Sequence, residues 1–234
     1  VLSVRYAFQL AYDGSRYFGF VRQPGLPTVE GELLKALRRC GLLAGLKEAR
    51  YRVAARTDRG VSALGQVVAL NTPKRPILSQ LNACLPGDIV VLSAVRVKPS
   101  FDPRRQTMRK HYRYTCDAPR GFNLKRARAA ARLLIGRHDF RNFCKRERGK
   151  PTAVELERAS IRGGRVLTFD FTARAFLWQQ VRRMVGALLA VGSGRLKIGD
   201  FRQMLGGRLD RSAAPAPPGG LVLMRVECRG LVNS

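Results

Sequence analysis

Residues 54–72 read AARTDRGVSALGQVVALNT, and their reading sets the architecture of the chain. From Leu64 to Thr72 the run is an apolar strand, and the segment before it enters through a turn at Gly60. The two pieces therefore read as a pair of neighbouring antiparallel strands. If the entering segment is extended, alternation puts Arg56 and Asp58 on one face and Ala55 and Thr57 on the other. Arg56 and Arg59 are permanently charged, and both favour an ionised Asp58. A carboxylate kept charged is a nucleophile, an electrostatic stabiliser or a structural ion pair, and the stretch alone leaves all three open.

Outward from that pair the chain alternates strands and helices. VRYAFQLAYDGSRYFGF (4–20) has strand periodicity and ends in a turn at Asp13-Gly14-Ser15. TVEGELLKALRRCGLL (28–43) reads as an amphipathic helix with Thr28 as its N-cap. A short helix around 77–85 and a strand over 88–97 complete this half, and KHYRYTC (110–116) is a further strand. The order then recurs loosely. Helices are expected at 123–136, 180–192 and 198–207, and strands at 164–176 and in LVLMRVEC (221–228). The expected class is α+β. Two similar RRM-like or ferredoxin-like halves, 1–105 and 106–234, form a largely antiparallel sheet with helices packed on one side. The proline-rich stretch APAPPGG (214–220) is expected to line a site or cover an edge rather than to tether a domain.

Composition narrows the partner. The 234 residues are 45% hydrophobic, which is ample for a core, yet 44 Lys and Arg face 16 Asp and Glu for a formal charge of +28. Self-repulsion on that scale calls for a polyanion, and nucleic acid leads because the excess is spread along the chain. Its densest stretches are 104–113, 124–132 and 145–150. A membrane surface fits less well, because no helix concentrates this charge opposite a strong apolar face. The longest apolar runs are too short to span a bilayer. Five scattered cysteines without a C-x-x-C pair, and only His111 and His138, give no zinc spacing. The odd cysteine count and the lack of a secretory leader favour a reducing cytoplasm.

The usual catalytic motifs are missing. Neither phosphate-binding glycine loop occurs, and no serine sits in a G-x-S-x-G elbow. What remains is an ionised aspartate, arginines, and tyrosines on a strand, a set suited to RNA. In KHYRYTC the strand period puts Lys110, Tyr112 and Tyr114 on one face, with His111 and Arg113 on the other. Tyr112 is either a half-buried core tyrosine or a stacking platform. In FLWQQVRRMVGALLAVG (176–192) helical phase makes Leu177, Val181, Met184 and Leu188 one apolar face. Arg182 falls at its border, and Arg183 points away, toward solvent or phosphate. That both are solvated surface arginines stays open.

Three motifs together carry a resemblance. RTDRGVSALGQVV (56–68), KHYRYTC and FLWQQVRRMVGALLAVG, in this order and separation, resemble the TruA family of tRNA pseudouridine synthases. The early YDGSRYFGFVRQPGLPTVEGELLKAL and the late APAPPGGLVLMRVE extend the likeness over nearly the whole chain. The resemblance implies that Asp58 is the catalytic nucleophile, that Tyr112 packs against the target uracil, and that Arg182 pairs with the aspartate. It makes Arg56 the residue that displaces the target base. Arg59, Lys110, Arg113 and Arg183 are expected on the RNA. It further implies isomerisation of uridine at positions 38, 39 and/or 40 of the tRNA anticodon stem-loop, by a homodimer, with neither cofactor nor metal. The sequence differs from the common pattern at Ala55, where a glycine is usual, and at T-D-R-G-V-S, the form of archaeal and eukaryotic relatives. It also differs at Trp178-Gln179-Gln180. A reading from another class, a non-catalytic RNA-binding or chaperone protein of RRM-like halves, explains the charge and the tyrosines. It leaves Asp58 and Arg182 without a role.

Overall fold

The computed structural model describes residues 3–231. In chain order the elements are β1 (Val4–Tyr12), α1 (Val29–Arg39), β2 (Arg52–Val53), β3 (Ser62–Thr72), α2 (Leu78–Ala83) and β4 (Ile89–Arg96). Then follow β5 (Thr107–Asp117), α3 (Leu124–Leu133), β6 (Gly136–Asp139), β7 (Ala153–Gly163) and β8 (Val166–Ala173). The chain closes with α4 (Gln180–Gly192), α5 (Ile198–Leu205) and β9 (Leu221–Cys228). The class is α+β, and every described strand pair is antiparallel except β3 with β9.

Two compact units divide the chain, with boundaries at Met108/Arg109 and Leu221/Val222. The expected division at 105/106 left the C-terminal strand in the second half. From Val222 onward the chain instead groups with the first unit, because β9 runs parallel to β3 with Ser62 opposite Val222 and Ala63 opposite Leu223.

In the first unit the strand order is β4-β1-β3-β9, with β2 on β3. Phe8 and Leu10 of β1 and Leu33, Leu34 and Leu37 of α1 are fully or almost fully buried. Each such side chain contributes about 1.5–3 kcal/mol by leaving water. Thr28 caps α1 as expected, its hydroxyl accepting the Gly31 N–H at 3.2 Å.

The second unit is ordered β5-β8-β7-β6. In the first unit β3 pairs with both β1 and β2, and in the second β8 pairs with both β5 and β7. Phe169 and Phe171 on β8 are fully buried beside Tyr114 and Tyr112, their cross-strand partners on β5. Phe140, Phe143 and Phe201 form an aromatic chain with ring centroids 6.2 and 5.4 Å apart. Strands β6 and β7 fall where the sequence announces neither. A bulge between Leu156 and Arg158 puts the buried residues of β7 at 156, 159 and 161, so period two is broken.

Among the described residues no helix is long and apolar enough to cross a membrane. All five cysteines are free thiols.

Candidate active site

The loop that carries Asp58 is built on buried hydrogen bonds. Beyond Val53 the Ala54 N–H still donates to the Val67 carbonyl at 2.9 Å, and at Ala55 the Gln66 side chain takes over from the partner strand. Its Nε2 donates to the Ala55 carbonyl at 2.8 Å, and its Oε1 accepts the Ala55 N–H at 3.2 Å. Gln66 is wholly buried, so these bonds exchange with no water. Two residues on, the Thr57 hydroxyl meets the Tyr12 hydroxyl at 2.8 Å, and the Thr57 carbonyl accepts the Phe20 N–H. Burial pushes the Tyr12 hydroxyl far above its usual pKa and keeps it neutral.

Ala55 and Thr57 are held inside, Arg56 is exposed and Asp58 half-buried, in a segment that is not the strand expected. The turn then closes from Val61 N–H to the Asp58 carbonyl, and Gly60 takes the positive φ of 75° there. From the other side the Asp13-Gly14 turn comes so close that a Cβ on Gly14 would lie 2.0 Å from the Val61 carbonyl oxygen. Arg59 lies over the Phe18 ring, its guanidinium carbon 4.1 Å from the centroid. Tyr12, Gly14, Phe18 and Phe20 of one upstream segment thus brace the aspartate loop.

In the second unit β5 alternates as read. Tyr112 is buried, with its ring edge-on to Phe176 at 5.1 Å. His111 and Arg113 share the opposite face, where both meet Asp170 of β8. His111 Nε2 lies 2.7 Å and Arg113 Nε 2.9 Å from Asp170 Oδ1, and Arg162 lies 3.3 Å from Oδ2. Burial alone would raise the Asp170 pKa. The bonds from His111 and Arg113 outweigh it and hold the carboxyl below its usual value. Arg113, expected on RNA, is therefore anchored first to a buried carboxylate. Lys110 is half-buried on the Tyr112 side.

Helix α4 occupies the residues read for it, with Val181, Met184, Val185 and Leu188 buried. Both of its arginines hold the proline-rich loop. Arg182 Nε donates to the Ala216 carbonyl at 2.8 Å, while the Ala216 N–H returns to the Arg182 carbonyl at 2.9 Å. Arg183 Nη1 donates to the Ser212 hydroxyl and the Ala213 carbonyl at 2.8 and 2.6 Å, and its Nε meets Gln179 Oε1. A Cβ on Gly186 would lie 2.0 Å from the Ala214 carbonyl oxygen. The expected phase sends Arg183 away from the apolar face, as found. There it meets the loop, so it is half-buried and bonded rather than left to solvent.

Sequence reasoning missed Gln66, Tyr12 and Asp170. A glutamine inside LGQVVAL and the one charged residue inside LTFDFTA were the available signals. Among the described residues no group of His, Cys, Asp and Glu is placed to hold a metal ion.

A family model described as tRNA pseudouridine synthase matches residues 130–227. The chain is also 41% identical over 232 residues to tRNA pseudouridine synthase A of Thermococcus sibiricus, covering 97% of this chain and 86% of that protein. The chain belongs to the tRNA pseudouridine synthase A family. The enzyme of that name from Methanosarcina mazei is 40% identical over 234 residues, covering 98% of this chain and 87% of its own length. Family membership thus spans the Asp58 loop, β5 and α4 alike.

Proposed function

We propose that this chain isomerises uridine to pseudouridine in the anticodon stem-loop of tRNA, at positions 38, 39 and/or 40, with Asp58 as nucleophile. The observation that carries the reading is the half-buried Asp58 of R-T-D-R-G-V on a loop braced by buried bonds, in a family member matched over nearly its whole length. The reaction breaks the N1–C1′ bond, turns the uracil and joins C5 to C1′. C5 gives up a proton and N1 gains one, so the product is an isomer and no co-reactant is consumed.

Each role follows the motif matches. A stem base must be flipped out at a cost of a few kcal/mol. Arg56, exposed beside Asp58, fills the vacated stack. Tyr112 packs on the flipped uracil, and Arg182 is the basic partner that keeps the carboxylate charged. Arg59, Lys110, Arg113 and Arg183 serve the RNA backbone. Arg113 and Arg183 enter with donors already used within their own unit, so they contribute less than Arg59. The reading takes a homodimer as the acting species and the cytoplasm as its place.

The test is incubation with unmodified tRNA transcripts followed by position-resolved mapping of pseudouridine. Conversion at 38, 39 or 40 is expected. Conversion only outside the anticodon stem-loop overturns the positions, and tRNA binding with no conversion anywhere returns the chain to a non-catalytic RNA-binding protein.

A further inference from the structure

Trp178 is the one tryptophan of the chain, and it is 44% exposed although large aromatic side chains are normally buried. Its position is fixed on both sides. The Lys145 N–H donates to the Trp178 carbonyl at 2.8 Å, and Gln180 Oε1 accepts the neighbouring Leu177 N–H at 2.8 Å. One face of the indole carries the Lys145 ammonium, 4.0 Å from the ring centroid. The residue keeps its exposure with that lid in place. Beside it lies a hollow whose lining includes Lys145, Glu147, Lys150, Thr152, Leu177 and Trp178.

The surrounding charge selects the occupant. Residues 145–150, KRERGK, supply four cations; Lys150 meets Glu147 at 2.6 Å and Arg146 meets Asp210, so the run keeps an excess of two positive charges in Lys145 and Arg148. A rigid, open indole rimmed by cations suits a flat ring on a polyanionic backbone, and an apolar protein side chain would leave the cations unanswered. The loop that presents Trp178 also carries Phe176, whose ring meets Tyr112 edge-on.

We infer that Trp178 is a stacking platform for an unpaired nucleobase of bound RNA, distinct from the uracil assigned to Tyr112. The inference rests on the reading of the chain as a tRNA-modifying enzyme. Lys145 braces the indole from behind, and the basic run around it takes the flanking phosphates.

The indole is its own probe, because no other tryptophan contributes fluorescence. Wild-type protein is titrated with an unmodified tRNA transcript and, separately, with a fully paired RNA duplex. Trp178 emission and the anisotropy of end-labelled RNA are read together. Saturable quenching by tRNA is expected, with the midpoint of the anisotropy curve, and little quenching by the duplex. Trp178→Ala should weaken tRNA binding between about five- and a hundredfold, the range of one lost stacked base. Trp178→Phe keeps a ring and should stay within a few-fold of wild type, which separates stacking from misfolding. Anisotropy showing tight tRNA binding without quenching, and with Trp178→Ala unchanged, overturns the platform alone. Quenching as strong with the duplex also overturns it, since a paired duplex offers no free base. No tRNA binding at all overturns the functional reading and the platform with it.

Discussion

Gln66 is fully buried in an otherwise apolar strand, and its amide bonds both backbone groups of Ala55, three residues before Asp58. Gln66→Leu keeps the volume roughly constant and removes that clamp, leaving a buried N–H and a buried carbonyl each costing about 1–3 kcal/mol. The melting temperature should fall by several degrees and turnover should drop, while tRNA affinity stays near wild type because the fully buried Gln66 offers no surface to RNA. A variant that melts lower but turns over normally would show the clamp to be structural only. The burial of Thr57 next to an exposed Arg56 was legible from the apolar and charged character of the run. The clamp was not, because Gln66 and Ala55 lie eleven residues apart across a turn and no local rule says which side chain faces which amide.

At the scale of elements, α4 and its loop make one assembly. Gly186→Ala drives a Cβ into the Ala214 carbonyl, so it should destabilise the protein by about 1–3 kcal/mol, read by thermal melting. Arg183→Met removes the donors to Ser212, Ala213 and Gln179. Trypsin should then cut after Arg208 or Arg211 faster than in the wild type, and an unchanged cleavage rate would mean the loop is held without it. The limits of α4 were legible because its apolar face repeats at helical spacing. The loop's course was not, since periodicity says nothing about what covers the other face. On β5 and β8, Asp170 has a folded pKa below its ordinary 3.8. Its contribution to stability is complete above that ordinary value and is lost as pH falls through the lower folded one. Melting temperature followed from pH 6 down to acid should therefore fall less steeply in Asp170→Asn than in wild type, from a lower starting point. Parallel curves would remove Asp170 as a source of the acid limb.

For the molecule as a whole, the charge of +28 is the feature that composition alone exposed, and it predicts how affinity responds to salt. If several Lys and Arg contact phosphates, log Kd for tRNA should rise linearly with log salt, by about 0.7–0.9 per contact. A flat response would mean that the basic surface is not the RNA footprint. The paired α+β halves were legible from repeated element order. The return of the chain from Val222 to the first unit was not, because a strand's sequence records its own burial and not its partner. The central claim is that Asp58 performs the chemistry, and the direct measurement is single-turnover pseudouridine formation by wild type and Asp58→Asn with enzyme in excess over tRNA. The account predicts no product from Asp58→Asn, with tRNA affinity within about tenfold of wild type because phosphate contacts dominate binding. Pseudouridine formed by Asp58→Asn at a rate comparable to wild type would contradict it.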